Sequence, residues 1–349
     1  MTWRPRQMRG GTVACAVAAA VACTPSAAPT LRTIAGVAQG TTYSLQWTGG
    51  ATEREIAAAA EQELARVDAL LSNYRPDSTL EIFNASATTE PIELPAELVA
   101  LLEVAKRVHE ASDGCFDPTV RPLVRAWGFD RDEPAVPAPE AIDAASAAVG
   151  LDKLELTDAT HARKTVAGLE LDMSSIGQGY TAGRLAELLE RSGSTAYLAE
   201  IGGEIVARGL KPDGSAWRIG IENPVPGTGA DPALRMPPGA RTAVITSGSY
   251  RHYFDAEGRR FSHIIDPRSG WPVEHLLLSV TVVGEDPATA AAWGTALLCL
   301  GPLDASDTAE RADLAALLWI KAESAKPDLV QSPAFQSEWA NLLDVPDTR

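Results

Sequence analysis

LDMSSIGQGYTAGRLAELLERSGSTAYLAEIGGEIVAR, residues 171–208, carries three kinds of local pattern in one run. Just before and into it, Val166 to Met173 alternates apolar and polar residues, the period of a strand. Ser174, Ser175, Gly177 and Gly179 then read as a small-residue turn. From Tyr180 the period becomes helical, with Ala182, Leu185, Leu188 and Leu189 on one face, and Arg191 and Gly193 close the segment as a helix C-terminus. A second apolar run, Ala196 to Ile201, ends in Gly202-Gly203 before Glu204 to Ala207 resumes. A strand feeding a glycine-rich turn at a helix start points free N–H groups and a positive dipole end at one spot, which suits a phosphate. The plainer reading is that these glycines only tighten a turn.

Around this stretch, strands and helices mix without strict alternation and without an internal repeat. An α+β fold of mixed α/β layers is expected, with helices packed on mixed or antiparallel sheets. Gly40 to Trp47 alternates as a strand. Thr52 with Glu55 forms a capping box opening a helix to about Leu71. The segment 71–84 reads as a turn-rich loop, in which Tyr74 and Arg75 could lie flat on a ring system. Pro95 and Gly114 bracket a second helix, and a third runs from Pro139 to Val149. Asp117 precedes Pro118 and must be extended, so 114–129 is expected to be a fixed loop. Asp286-Pro287 caps a helix through Leu300 that stops at Gly301.

The 349 residues are 45% hydrophobic and carry a net charge of −16, which disfavours a nucleic-acid partner. Arg4, Arg6 and Arg9 precede a short apolar run, Thr12 to Ala22. That run is below the roughly 20 residues a bilayer span needs, and reads as an export signal. Ala20-Val21-Ala22-Cys23 resembles a lipobox in which Cys23 would be lipidated, although Leu is missing at position 20 and plain cleavage after Ala22 stays open. The organisation expected is therefore a signal peptide at 1–22, a lipid-anchored tether at 23–34, one domain at 35–325 and a tail at 326–349, in an exported, periplasmic protein. Cys115 and Cys299 remain in the mature chain. An exported chain could pair them, but no close spacing supports a disulfide framework or a zinc site, and two isolated buried thiols are expected.

Further motifs come in a telling order: GTTY (40–43), LSNYRPDS (71–78), DGCFDPT (113–119) with PLVRAWGF (122–129), LDMSSIGQGY (171–180), IGGEIVARG (201–209), TSGSYRHYF (246–254), SHIIDPRSG (262–270) and SVTVV (279–283). Together they resemble the ApbE family of flavin transferases, which use FAD to attach FMN to a Thr or Ser of a partner protein. The match spans about Gly40 to Gly301. The resemblance implies flavin contacts at Tyr74, Cys115, Phe116, Asp117, Asp172, Gln178 and Ile265. Cys115 stands where a small residue such as Ala is common, and Gln178 where many members have Lys. It also implies a Mg²⁺ held by the main-chain oxygen of Ser175, by an Asp, and by Thr295. That Asp is absent: the family pattern T-A-D-A-x-x-T reads TAAAWGT at 289–295, with Ala291 in its place.

Residues four apart share a helix face, so a carboxylate at 291 and the hydroxyl of Thr295 would reach one ion. Without it, an ion would rest on Ser175 O, Thr295 and the FAD pyrophosphate, whereas Mg²⁺ is usually held by one or two carboxylates plus phosphates. Asp286 lies about 500° around the helix from 291 and is off that face. His263 is the candidate general base, with a structural role in the HIIDP turn as its alternative. The function expected is a transferase acting on FAD and a redox partner protein of the membrane or periplasm; a non-catalytic FAD-binding lipoprotein and an FAD pyrophosphatase are its alternatives.

Overall fold

The alternation in Thr41–Thr48 sends Tyr43, Leu45 and Trp47 inward, the last two fully buried. Seven further strands join it in an eight-stranded sheet. Its strands are Leu31–Ala38, Thr41–Thr48, Ala196–Ile201, Glu204–Arg208, Thr242–Gly248, Leu277–Gly284, Ala315–Ile320 and Asp328–Gln331, adjacent in that order. Every neighbouring pair is antiparallel. Spatial order follows chain order, and the helices are insertions between consecutive strands. The computed structural model from which this is drawn describes residues 1–2, 30–131, 133–225, 231–323 and 326–345. Residues 3–22 of the signal segment, Cys23 and most of the tether lie outside the described residues. Among the described residues no helix is long and apolar enough to cross a membrane.

Helices Glu53–Leu71, Ala96–Ala111, Ser174–Arg191 and Pro287–Leu300 cover one face of the sheet, around Trp47, Leu102, Leu185, Val206, Ile245 and Leu297. The opposite face packs on Leu234 of a three-stranded sheet, on Trp217 just before that sheet's strand Arg218–Gly220, and on Phe335 of the short helix Pro333–Glu338. A third core surrounds Trp127, whose ring lies 5.4 Å from Phe261 and 5.1 Å from Trp271 and whose Nε1 donates to Gly270 O. It anchors the hairpin Tyr253–Ala256 with Arg259–Ser262 and the short strand Ile265–Asp266. The expected α+β class is what the chain adopts.

Several local expectations need correction. Val166 to Met173 forms no strand. Its backbone is held instead by asparagines: Asn84 Oδ1 accepts from Leu171 N (2.7 Å), and both Asn73 Nδ2 and Asn84 Nδ2 donate to Leu171 O. Side-chain amides have replaced a neighbouring strand as partners. The helix begins at Ser174 rather than Tyr180, so the small residues are helical. The 71–84 segment contains the helix Thr79–Ala85, capped by Ser78. After Asp117 come a 3₁₀ turn, Pro118–Val120, and the helix Arg121–Trp127, which ends on left-handed Gly128. The helix from Pro139 ends at Ser146. The first sheet strand starts at Leu31, inside the expected tether, and residues beyond Lys326 supply an edge strand and Pro333–Glu338. The capping box at Thr52 and Glu55 is present as read.

Candidate functional site

Two helices build the centre of the site. A methyl group at Gly183 would come 2.8 Å from Pro287 Cγ, and one at Gly179 would come 2.4 Å from Pro287 O and 2.7 Å from Ala291 Cβ. Positions 183, 179 and 175 form one stripe, and 287, 291 and 295 form another, paired in opposite senses. Ser174–Arg191 and Pro287–Leu300 are therefore antiparallel and nearly touching, and the next rung of this ladder sets Ser175 level with Thr295. The glycines serve this close approach rather than a phosphate turn. Beneath them, Ser247 at the end of the strand Thr242–Gly248 lies 3.5 Å, Oγ to Oγ1, from Thr295. Ser175 and Thr295 are both half-buried.

The helix N-terminus is at the same end. Its N-cap residue is Met173, which offers no capping oxygen, and Asp172 Oδ1 accepts from Ser174 N instead (2.8 Å). Asp172 N donates to Pro118 O (2.6 Å), which ties this end to the 114–120 loop. Asn73 Oδ1 accepts from Met173 N, and Asn73 O accepts from Arg121 Nη2 (2.8 Å). Asn73, Asn84 and Arg121 were not singled out from the sequence. Only the flanking Asn in LSNY and IFN hinted at side chains able to satisfy a bare backbone.

His263 sits half-buried in the turn after the hairpin, its ring 5.0 Å from that of His252. Its Nδ1 is 2.9 Å from His252 O, so the carbonyl assigns the proton to Nδ1 and leaves the Nε2 lone pair free. Burial and the neighbouring His252 push its pKa down to about 4, against a smaller opposing pull from Asp172. The ring is thus neutral at physiological pH. Its folded pKa lies below the unfolded value of 6.5, so its contribution to stability is intact above that value and is lost as pH falls toward about 4. Its ring NMR signals are expected to stay still between about pH 7 and about pH 5. Titration inside that window would contradict this environment.

The remaining predicted contacts divide. Tyr74 is 80% exposed and free to meet a ring, but Arg75 is tied to Asp77 and Asp68 rather than laid beside it. Gln178 is half-buried, its amide against Gly202 in the turn between the third and fourth strands. Phe116 and Ile265 are core residues, 2% and 6% exposed. Asp117 is buried with Oδ1 accepting from Thr119 N and Oγ1 and Oδ2 from Leu151 N, so it braces its loop. Burial pushes its carboxyl pKa up, while Thr119 pulls the other way. Cys115 is not a free thiol: it is bonded to Cys299, in the last turn of Pro287–Leu300. Ala291 is 1% exposed and brings no donor.

Comparison with known proteins agrees with this layout. Residues 39–318 match the family model described as "ApbE family". The chain belongs to the ApbE family. A relative from Salmonella typhimurium named FAD:protein FMN transferase is 36% identical over 305 residues, covering 85% of this chain and 87% of the relative. One of the same name from Escherichia coli K12 is 36% identical over 324 residues, covering 90% and 92%. Among solved structures, the flavinyl transferase ApbE of Pseudomonas stutzeri in its apo form superposes with TM-score 0.81 at 35% identity, covering 88% of this chain and 96% of that one. The flavin transferase ApbE from Vibrio cholerae has TM-score 0.81 at 31% identity, covering 88% and 99%. For this ApbE-family chain the metal needs a separate test. Ser175 and Thr295 offer only neutral oxygens, and position 291 offers none. Those three positions alone do not make a divalent-cation site.

Proposed function

We propose that this chain is an FAD:protein FMN transferase. It binds FAD, joins FMN to the hydroxyl of a Thr or Ser on a partner protein, and releases AMP. The observation that supports it best is the convergence at one helix end of Asp172, Ser175 and Thr295, in a chain about a third identical to enzymes of that name over most of its length. His263, whose neighbour Asp172 starts that end, holds an unprotonated Nε2 suited to take the proton of the attacking hydroxyl. The hydroxyl oxygen then bonds the FMN phosphorus, and the bond to the AMP phosphate oxygen breaks, its electron pair leaving with AMP. Tyr74 offers an exposed ring for the flavin. No step here is routed through a metal ion.

A second reading, a flavin-binding protein without turnover, is favoured by Ala291 alone, since an apolar methyl stands where the resemblance expects a carboxylate. Export is part of the proposal. The disulfide Cys115–Cys299 supports it, because such bonds persist in oxidising compartments. Lipidation at Cys23 and a membrane anchor rest on the sequence pattern.

Incubating the purified chain with FAD, Mg²⁺ and an acceptor domain tests both readings by mass spectrometry. Acceptor Thr carrying one FMN is the expected product. FAD retained unchanged, with no modified acceptor, would sink the transferase and leave the binder.

A further inference from the structure

Strand Glu204–Arg208 pairs Ile205 with Val244 and Val206 with Ala243. Val206, Ala243 and Ile245 belong to the core under the helices, whereas Ile205, Ala207 and Val244 face the opposite core. The period of two therefore sends Glu204, like Val206, toward the helices and beside Ile245. Ser247, two residues beyond Ile245, faces the same way and meets Gly294 and Thr295. Glu204 Oε2 accepts from Thr246 N (3.2 Å), the residue adjoining Ser247. On its other flank, Gln178 of the helix Ser174–Arg191 rests on Gly202, two residues before Glu204 and one helical turn from Ser175. A carboxyl thus lies on the inner sheet face between the two helices that carry Ser175 and Thr295.

Glu204 is 8% exposed, and among the described residues that bond from a backbone N–H is the one hydrogen bond of its carboxyl, with no Lys or Arg paired to it. A buried carboxyl without a cation is costly, and proteins rarely keep one without a use for it. Burial, with Glu200 nearby, lifts its pKa to about 8. Hard divalent cations take oxygen ligands and usually one or two carboxylates.

We propose that Glu204 supplies the carboxylate of a divalent-cation site completed by Thr295 and the main chain of Ser175, in place of the carboxylate missing at position 291. The proposal rests on the flavin-transferase reading of the same site. It changes which element holds the ion: the charge comes from the strand Glu204–Arg208 rather than from the helix Pro287–Leu300.

The probe is Mn²⁺ alone, followed by EPR on the full chain without FAD. The wild type should bind one Mn²⁺, and Glu204→Gln and Thr295→Ala should each weaken binding by more than about tenfold. Gln matches Glu in shape and replaces a neutral carboxyl with a neutral amide, so near-UV circular dichroism should be unchanged. Adding Ala291→Asp to Glu204→Gln should restore binding, which a merely structural glutamate would not explain. Wild-type affinity in Glu204→Gln, or a folded wild type that takes up no Mn²⁺, would overturn the assignment. FMN transfer is scored separately on the acceptor. Transfer without Glu204-dependent Mn²⁺ binding removes this inference and spares the transferase; Glu204-dependent binding without transfer does the reverse.

Discussion

Reducing the Cys115–Cys299 bond is expected to lower the stability of the fold by about 2–5 kcal/mol. The two cysteines are 184 residues apart, so in the chain-entropy view the cross-link removes a great deal of freedom from the unfolded chain. Both sulfurs sit in buried residues, 2% and 3% exposed, and a carboxylate oxygen of Asp266 lies within 4.8 Å of them. The folded state therefore loses little of its packing, and the change acts chiefly through the unfolded state. Its local consequence is more specific. Cys115 immediately precedes Phe116 and Asp117, and Asp117 braces Thr119 and Leu151; Cys299 lies one turn beyond Thr295. The bond thus joins the loop that touches Asp172 to the helix that carries Thr295. Urea unfolding of oxidised and reduced protein, with Cys115→Ala/Cys299→Ala as control, measures the effect. Coincident unfolding curves would show that the bond adds nothing.

Replacing His263 by Gln is expected to slow FMN transfer by about 10²–10⁴-fold while leaving the fold intact. A Gln amide can still donate to His252 O, but it has no basic nitrogen to accept the proton of the attacking hydroxyl. The sign of the pH dependence follows from the ring's setting. A base whose pKa lies near 4 remains unprotonated well below the ordinary value of 6.5, so the acid limb of kcat/KM for the wild type should fall below that value. An acid limb at the ordinary imidazole value, or a Gln variant as fast as wild type, would assign the histidine to holding the HIIDP turn instead. The two hypotheses differ in kcat and not only in stability, which is why the rate is the measurement that matters.

Much of this molecule was readable from residues. Alternation in GTTYSLQW, the capping box at Thr52 and Glu55, and the Asp286-Pro287 helix start all became the elements they signal, because each depends on neighbours within four residues. Errors came where distant groups competed with local pattern. Val166 to Met173 has a strand's alternation, yet Asn73 and Asn84 claim its backbone, and no spacing announces that they would arrive. Ser174 to Gly179 is rich in residues that disfavour helix, yet it is helix. Its Gly179 lets Ala291 and Pro287 approach, and packing outweighs a propensity cost of about 1 kcal/mol per glycine. Phe116 and Ile265 lie in motifs from which the resemblance implies flavin contacts, but their side chains fill cores, and a motif does not say which way a side chain points.

From the chain alone came the α+β class and the family, together with the expectations that position 291 lacks a carboxylate and that the residues named as flavin contacts meet a flavin. Local periodicity and motif order hold that much, since both are properties of short segments. The pairing of Cys115 with Cys299, the antiparallel contact that levels Ser175 with Thr295, and the turning of Glu204 toward the helices came from the three-dimensional arrangement. Each joins segments far apart in the chain. Sheet register and helix packing set those distances, and neither can be read from any one segment's own pattern.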